Sequence, residues 1–305
     1  MEQPRDSNDT QLRQLAQQHG IDLSGPMEII ETGLDFRVAL ADDGDGRPWV
    51  LRVPRRAAVW PKAEREERLL RFVRRRLPVA TPEWRICSPE LIAYPRLPFA
   101  TAVSVFPEGG EPAWNIDKNS RAFVESFATA LAALHALDVE EAIAAIDDQA
   151  RSHDPRGRFS EDLERVKREI GIAEAVERPW KVWLDDDASW PDFTVLTHGD
   201  LHAGHVLVNA DDRAMGIIDW TEAEIGDPAT DFKFHLMGFG EEGLDRLIDE
   251  YEAAGGRTWP KMRCHVASRL SAFPITYALF ALESSDEQHL GEARRQLGVE
   301  PNVGA

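Results

Sequence analysis

The stretch that most restricts the architecture is HGDLHAGHVLVN, residues 198–209, read together with GIIDW at 216–220. It places His198, His202 and His205 at i, i+4 and i+7. On a helix, three such histidines would share a face and could hold zinc. Gly199 and Gly204 interrupt any such helix, however, and no Glu follows the first His as it does in HExxH. The continuation VLVN reads as strand, so a loop running into a strand is expected here. HVLVN (205–209) and AMGIID (214–219) form a pair of short strands around the turn ADDR. A hairpin returns its second end towards its first, which brings Asp200 and Asp219 to one edge. Two carboxylates beside a polar third group make a hard-oxygen site suited to Mg²⁺. One can hold the metal while the other accepts a proton from a hydroxyl. Phosphoryl transfer needs those parts.

The rest of the chain divides by pattern. TQLRQLAQQH (10–19) reads as a short amphipathic helix ended by Gly20. EIIETGLDFRVAL (28–40) is β-like, with Phe36, Val38 and Leu40 alternating, and WVLRVP (49–54) is a second strand. The DDGDG between them lacks the closing Glu of a calcium loop and reads as a solvated turn. A charged amphipathic helix follows at 61–77, and β-like sequence runs to AYPRLP at 93–98. Beyond 119 the chain is mostly helical, with segments at 120–137 (Ser120 as N-cap), 159–176, 240–254 and 260–283. The expectation is an α+β chain of two lobes. Residues 1–97 make a small β-rich N-terminal lobe ending in a hinge, and 98–305 make a larger, mainly helical C-terminal lobe.

Composition removes several classes. The 35 basic and 54 acidic residues give a net charge of −19, which repels phosphate backbones and argues against a nucleic-acid partner. The same charge would attract a cationic small molecule or, alternatively, serves only solubility. Cys87 and Cys264 belong to no CxxC pair, as expected of a reducing cytoplasm. No signal peptide and no apolar run of membrane-spanning length is found, so a cytoplasmic protein without a membrane partner is expected. GxSxG and the GxxxxGK[ST] phosphate loop are absent.

HGDLHAGHVLVN followed by GIIDWTEAEIGDPATDF resembles the aminoglycoside phosphotransferase group, which shares the protein-kinase fold. WVLRVPRR, AYPRLP, LAALHAL and FALESSDEQHLGEARRQLG are similar to the macrolide 2′-phosphotransferases within it. The resemblance implies that Asp200 is the catalytic base and Asp219 the metal-binding carboxylate. His205 stands where kinases place a metal-binding Asn, and its imidazole is a poorer Mg²⁺ ligand than the amide oxygen it replaces. Arg52 replaces a phosphate-binding Lys, with Glu66 as its ion-pair partner and Glu64 and Glu67 as rivals. Gly33 would cover the phosphates. Tyr94 to Leu97 would form the hinge, and Leu207 and Ile218 would pack against the nucleotide base.

The implied reaction moves the γ-phosphate of GTP, or of ATP, to the 2′-hydroxyl of a macrolide's amino sugar with Mg²⁺, in a monomeric enzyme. For the acceptor, Phe273, Tyr277 and Phe280 offer apolar surface. Asp227 and Asp231 offer charge for the ammonium or, alternatively, cap a helix and brace the loop. Two other readings stay open. One is a kinase for another small cationic alcohol, such as an aminoglycoside or a choline-like molecule. The other is a kinase-like binding protein without catalysis.

Overall fold

The computed structural model describes residues 5–31, 35–104, 112–146, 153–284 and 286–299. In chain order it runs α1 (Arg5–Gln18), β1 (Leu23–Ile30), β2 (Phe36–Asp43), β3 (Pro48–Pro54), α2 (Trp60–Val73), β4 (Ile86–Cys87), β5 (Ile92–Pro95), β6 (Ala100–Thr101), β7 (Val103–Ser104) and β8 (Ala113–Trp114). It continues with α3 (Arg121–His135), α4 (Val139–Ile146), α5 (Pro155–Glu169), α6 (Glu174–Asp185), β9 (Val195–Thr197), β10 (Val206–Val208), β11 (Ala214–Ile217) and β12 (Glu224–Gly226). A 3₁₀ turn (Pro228–Asp231) leads into α7 (Lys233–Ala253), α8 (Met262–Ser271), α9 (Phe273–Ser284) and α10 (Glu287–Gln296). Contacts group the chain into one unit of Met1–Asp117, Ala144–Asp147 and Gly204–Thr221, and a second of Lys118–Ile143, Asp148–Ala203 and Glu222–Ala305. A single cut at residue 97 does not reproduce this grouping, because the β10–β11 hairpin pairs with β6 and bridges Ala80 to Gly216.

The first unit is organised by an antiparallel sheet in the order β1-β2-β3-β5-β4. Strand alternation sends Phe36, Val50, Ile92 and Tyr94 to one face, where Val59 and Ala63 cover them. Ala39, Ala41, Leu51 and Ala93 go to the other face, under Leu12 and Ala16 of α1. Both faces are buried, which explains why these strands are apolar almost throughout. The DDGDG turn is held by Asp43, whose carboxylate accepts the Asp45 and Arg47 N–H groups and the Trp49 indole N–H.

The second unit is helical. Ser120 caps α3, its hydroxyl accepting the Phe123 N–H at 3.3 Å. The helix expected over 159–176 breaks at Gly171, whose φ of +97° ends α5 in a left-handed cap. The one expected over 260–283 divides into α8 and α9, because Pro274 lacks the N–H that would continue α8. The α7 helix begins at Lys233, before the expected 240, and contains a break at Gly240 (φ +73°). Among the described residues, no single helix is long and apolar enough to cross a membrane.

Candidate active site

In the first unit the site is built around Arg52. β3 registers it opposite Val38 and Ile92, on the face that meets α2, where it is only 6% exposed. A buried cation needs a partner, and Glu66 supplies it at 2.8 Å. Glu67 instead pairs with Arg71 along the helix, so the geometry selects Glu66 from the acidic run on α2. Burial alone would weaken the guanidinium's charge, but Glu66 overrides it and holds the pKa above its ordinary value. The plane of Arg52 lies over the Phe36 ring at 4.1 Å.

The network continues to the end of the hairpin. Arg52 Nη2 donates to the Thr221 hydroxyl at 3.2 Å, and that hydroxyl donates to Glu66 Oε2 at 2.7 Å. Asp219 Oδ1 lies 3.2 Å from the same hydroxyl and 3.9 Å from Arg52 Nη2. Asp219 has φ +63°, a conformation non-glycine residues seldom adopt. Its neighbour Trp220 is fully buried, with its indole N–H on the Ile217 carbonyl at 3.0 Å. Anchoring the large side chain inward leaves the Asp219 carboxylate outward, 47% exposed. His205 Nε2 is 3.5 Å from Asp219 Oδ2, and the His205 carbonyl accepts the Ile218 N–H. A carboxylate oxygen and an imidazole nitrogen at that separation fit two ligands of one divalent ion. The carboxylate is the stronger donor for a hard cation.

Leu207 is buried in β10 opposite Gly216 and Thr101, while Ile218 is half-buried just beyond β11. Tyr94 belongs to β5, registered against Val50, with its ring in the core and its phenol pKa pushed up by burial, and the chain leaves the sheet after Pro95. Gly33 lies outside the described residues.

In the second unit, β9 delivers the chain to His198-Gly199-Asp200. The His198 and Gly199 N–H groups donate to the two carboxylate oxygens of Asp231, each at 2.9 Å. On the other side of the peptide, Lys233 Nζ donates to the Gly199 carbonyl at 3.3 Å. Gly199 has φ +86°, and a Cβ there would approach the Glu222 carbonyl oxygen to 2.1 Å, so only glycine fits. The backbone before Asp200 is therefore clamped, while the Asp200 side chain is 41% exposed, with His202 Nε2 at 4.0 Å. The His202 ring meets Phe234 edge to face at 6.0 Å, and Phe234 meets Phe273 at 5.7 Å.

Asp231 is thus corrected from substrate contact to brace. It is fully buried and accepts bonds from two backbone N–H groups and from His135 Nε2 at 3.0 Å. Asp227 is likewise buried, capping the 3₁₀ turn through the Ala229 N–H and pairing with His265 and Arg269. Both carboxyls stay below the ordinary range because these donors override burial. Phe273 joins the aromatic chain leading to His202. Tyr277 turns instead to α10, its hydroxyl 2.8 Å from His289 Nδ1. Sequence reasoning missed Thr221, Lys233, Phe234, His135 and Tyr251. Only His135 carried a signal, as a histidine on the apolar face of LAALHAL.

Residues 27–265 match a family model described as the phosphotransferase enzyme family, and the chain belongs to that family. Its α+β fold is that of the kinase-like phosphotransferases, and it is an enzyme of that type. A solved structure of a macrolide 2′-phosphotransferase type I is 48% identical, with a TM-score of 0.89, covering 95% of this chain and 97% of that one. The apoenzyme of macrolide 2′-phosphotransferase MphH from Brachybacterium faecium is 40% identical, with a TM-score of 0.87, covering 96% and 99%. The protein YcbJ of Bacillus subtilis (strain 168) is 40% identical over 293 residues, 95% of this chain and 96% of that one.

Proposed function

We propose that this enzyme moves the γ-phosphoryl group of GTP, or of ATP, to the 2′-hydroxyl of the amino sugar of a macrolide. The observation that carries the reading is the half-exposed Asp200 carboxylate on a loop clamped by Asp231 and Lys233, in a chain similar to macrolide 2′-phosphotransferases along nearly its whole length. Asp200 accepts the hydroxyl proton as the sugar oxygen bonds to the γ-phosphorus. The bond from that phosphorus to the bridging oxygen breaks, releasing nucleoside diphosphate. Asp219, with His205 beside it, would hold Mg²⁺. When bound, that ion supplies charge neutralisation on the phosphates. Arg52, oriented by Glu66, directs its guanidinium to the Thr221–Asp219 end of its network and adds positive charge there. Phe273 and Phe234 supply apolar surface for the macrolide ring, and the net charge of −19 favours its dimethylammonium.

The test is mass spectrometry of erythromycin incubated with the protein, Mg²⁺ and either GTP or ATP. A gain of one phosphoryl group is expected, fastest with GTP, and loss of nearly all transfer in Asp200→Ala with nucleotide binding retained. No phosphorylated product from a panel of macrolides with either donor would refute the acceptor.

A further inference from the structure

The first turn of α7 holds the loop on both sides of Asp200, and one cation joins the two holds. Before Asp200, Lys233 Nζ donates at 3.3 Å to the Gly199 carbonyl, which belongs to the same peptide unit as the Asp200 N–H. After it, the His202 ring meets the Phe234 ring edge to face at 6.0 Å. The same Lys233 Nζ lies over the Phe234 ring, 4.8 Å from its centroid, close enough for a cation–π attraction. Asp200 thus sits between two contacts that both answer to a single ammonium.

The place is a poor one for a cation. Lys233 is the first residue of α7, at the end of the helix where the dipole repels positive charge. Its side chain is partly buried, and that burial pushes its pKa below the ordinary lysine value. Arg269 on α8 pushes the same way. Asp200 on the loop, Asp231 on the 3₁₀ turn and Glu224 on β12 oppose them without fully offsetting them. An apolar side chain would avoid all of these costs. A residue that breaks a local preference needs a compensating gain. Here an ammonium supplies a charge-assisted N–H to a carbonyl and a cation to a ring at once. A neutral amine would keep an N–H but lose the charge that both contacts use.

We propose that Lys233 is a positioning residue for phosphoryl transfer: its ammonium holds the Gly199 carbonyl directly and His202 through Phe234, and so aims the Asp200 carboxylate. Turnover then depends on Lys233 staying charged, and weakens as rising pH removes that charge. The inference rests on the reading of Asp200 as the base.

Lys233→Met keeps the apolar stem and removes the charge. Turnover is expected to fall roughly tenfold, the factor that one charge-assisted hydrogen bond is worth. KM for the nucleotide should stay within about twofold. Lys233→Arg keeps a cation with N–H donors and should recover most of the loss. Wild-type turnover should decline at alkaline pH with a midpoint below about 10.4, the value of a free lysine. Any decline caused by the acceptor's own amine is common to all three enzymes. The part due to Lys233 should be absent from Lys233→Met and displaced to higher pH in Lys233→Arg. Nitrogen-15 spectra should show the Lys233 side chain titrating with the wild-type midpoint, and the Asp200 amide should shift along with it. Wild-type turnover in Lys233→Met, no recovery in Lys233→Arg, one alkaline profile shared by all three enzymes, or an Asp200 amide that ignores the Lys233 titration would each overturn the proposal. The spectra need no acceptor. A wild type that phosphorylates no macrolide therefore sinks the acceptor reading alone.

Discussion

The network around Arg52 and the network around Asp231 use similar materials and end differently. The first runs from a buried ion pair through Thr221 to Asp219, a half-exposed carboxylate on a left-handed backbone. The second joins a carboxylate, a histidine, a tyrosine and two backbone N–H groups, with Asp231 wholly inside. A closed network of matched donors and acceptors contributes rigidity. One that emerges at an exposed carboxylate on an uncommon backbone conformation is built to be completed by something that arrives. The difference separates what braces the loop from what the proposed chemistry uses.

The largest expected effect tests that separation directly. Asp231→Ala leaves two buried N–H groups and His135 without their acceptor, and should cost about 3–5 kcal/mol of stability. Asp219→Asn, which tolerates positive φ, should change stability by less than about 0.5 kcal/mol and abolish transfer. Urea denaturation and a transfer assay read both variants. Equal stability losses in the two would erase the distinction between brace and reactive end.

A second, smaller effect is a matter of pH. The Asp231 pKa is lowered in the folded state. The unfolded chain therefore binds the extra proton first as acid is added, and folding stability rises with pH across that window. The Asp231 contribution is fully present above the ordinary carboxylate range and drains away as pH falls through it towards the depressed folded value. Asp227 behaves in the same sense. Asp231→Asn removes one of the two contributions. Its stability, followed by denaturation between about pH 5 and pH 3, should fall less steeply than that of the wild type. Parallel curves would remove the case that Asp231 is held ionised by its donors.

The two networks also differ in how far they can be read from sequence. Asp200 and Asp219 sit 19 positions apart around a hairpin whose alternation is plain, and Arg52 and Glu66 lie 14 apart across a strand and the next helix. Short separations and family motifs expose them. His135 reaches Asp231 across 96 residues and Tyr251 across 116, and on its own helix it occupies a position any core residue could fill. No local period records such a pairing. Asp231 was open to two uses for the same reason: whether a carboxylate faces a ligand or a loop depends on tertiary packing. The helix breaks at Gly171 and before Phe273 were missed because apolar spacing carries on through both, while backbone geometry and the proline's missing N–H do not.

The smallest effect probes the joint within the Arg52 network. Thr221→Val keeps the shape and deletes the hydroxyl. Glu66 Oε2 loses the donor at 2.7 Å and Arg52 Nη2 the acceptor at 3.2 Å, but the direct Arg52–Glu66 contact at 2.8 Å survives. Stability should therefore fall by only about 1 kcal/mol, far short of the loss from Asp231→Ala. The functional cost is expected to be larger than the structural one, because the hydroxyl is also within reach of Asp219 Oδ1. KM for the nucleotide should rise severalfold at low Mg²⁺ and recover as Mg²⁺ is raised, while Thr221→Ser should stay close to wild type. A Thr221→Val enzyme that loses stability but keeps its nucleotide KM and Mg²⁺ dependence would mean that the Arg52 network ends at Glu66. Asp219 would then stand apart from it, and the contrast with the closed Asp231 brace would rest on that single carboxylate.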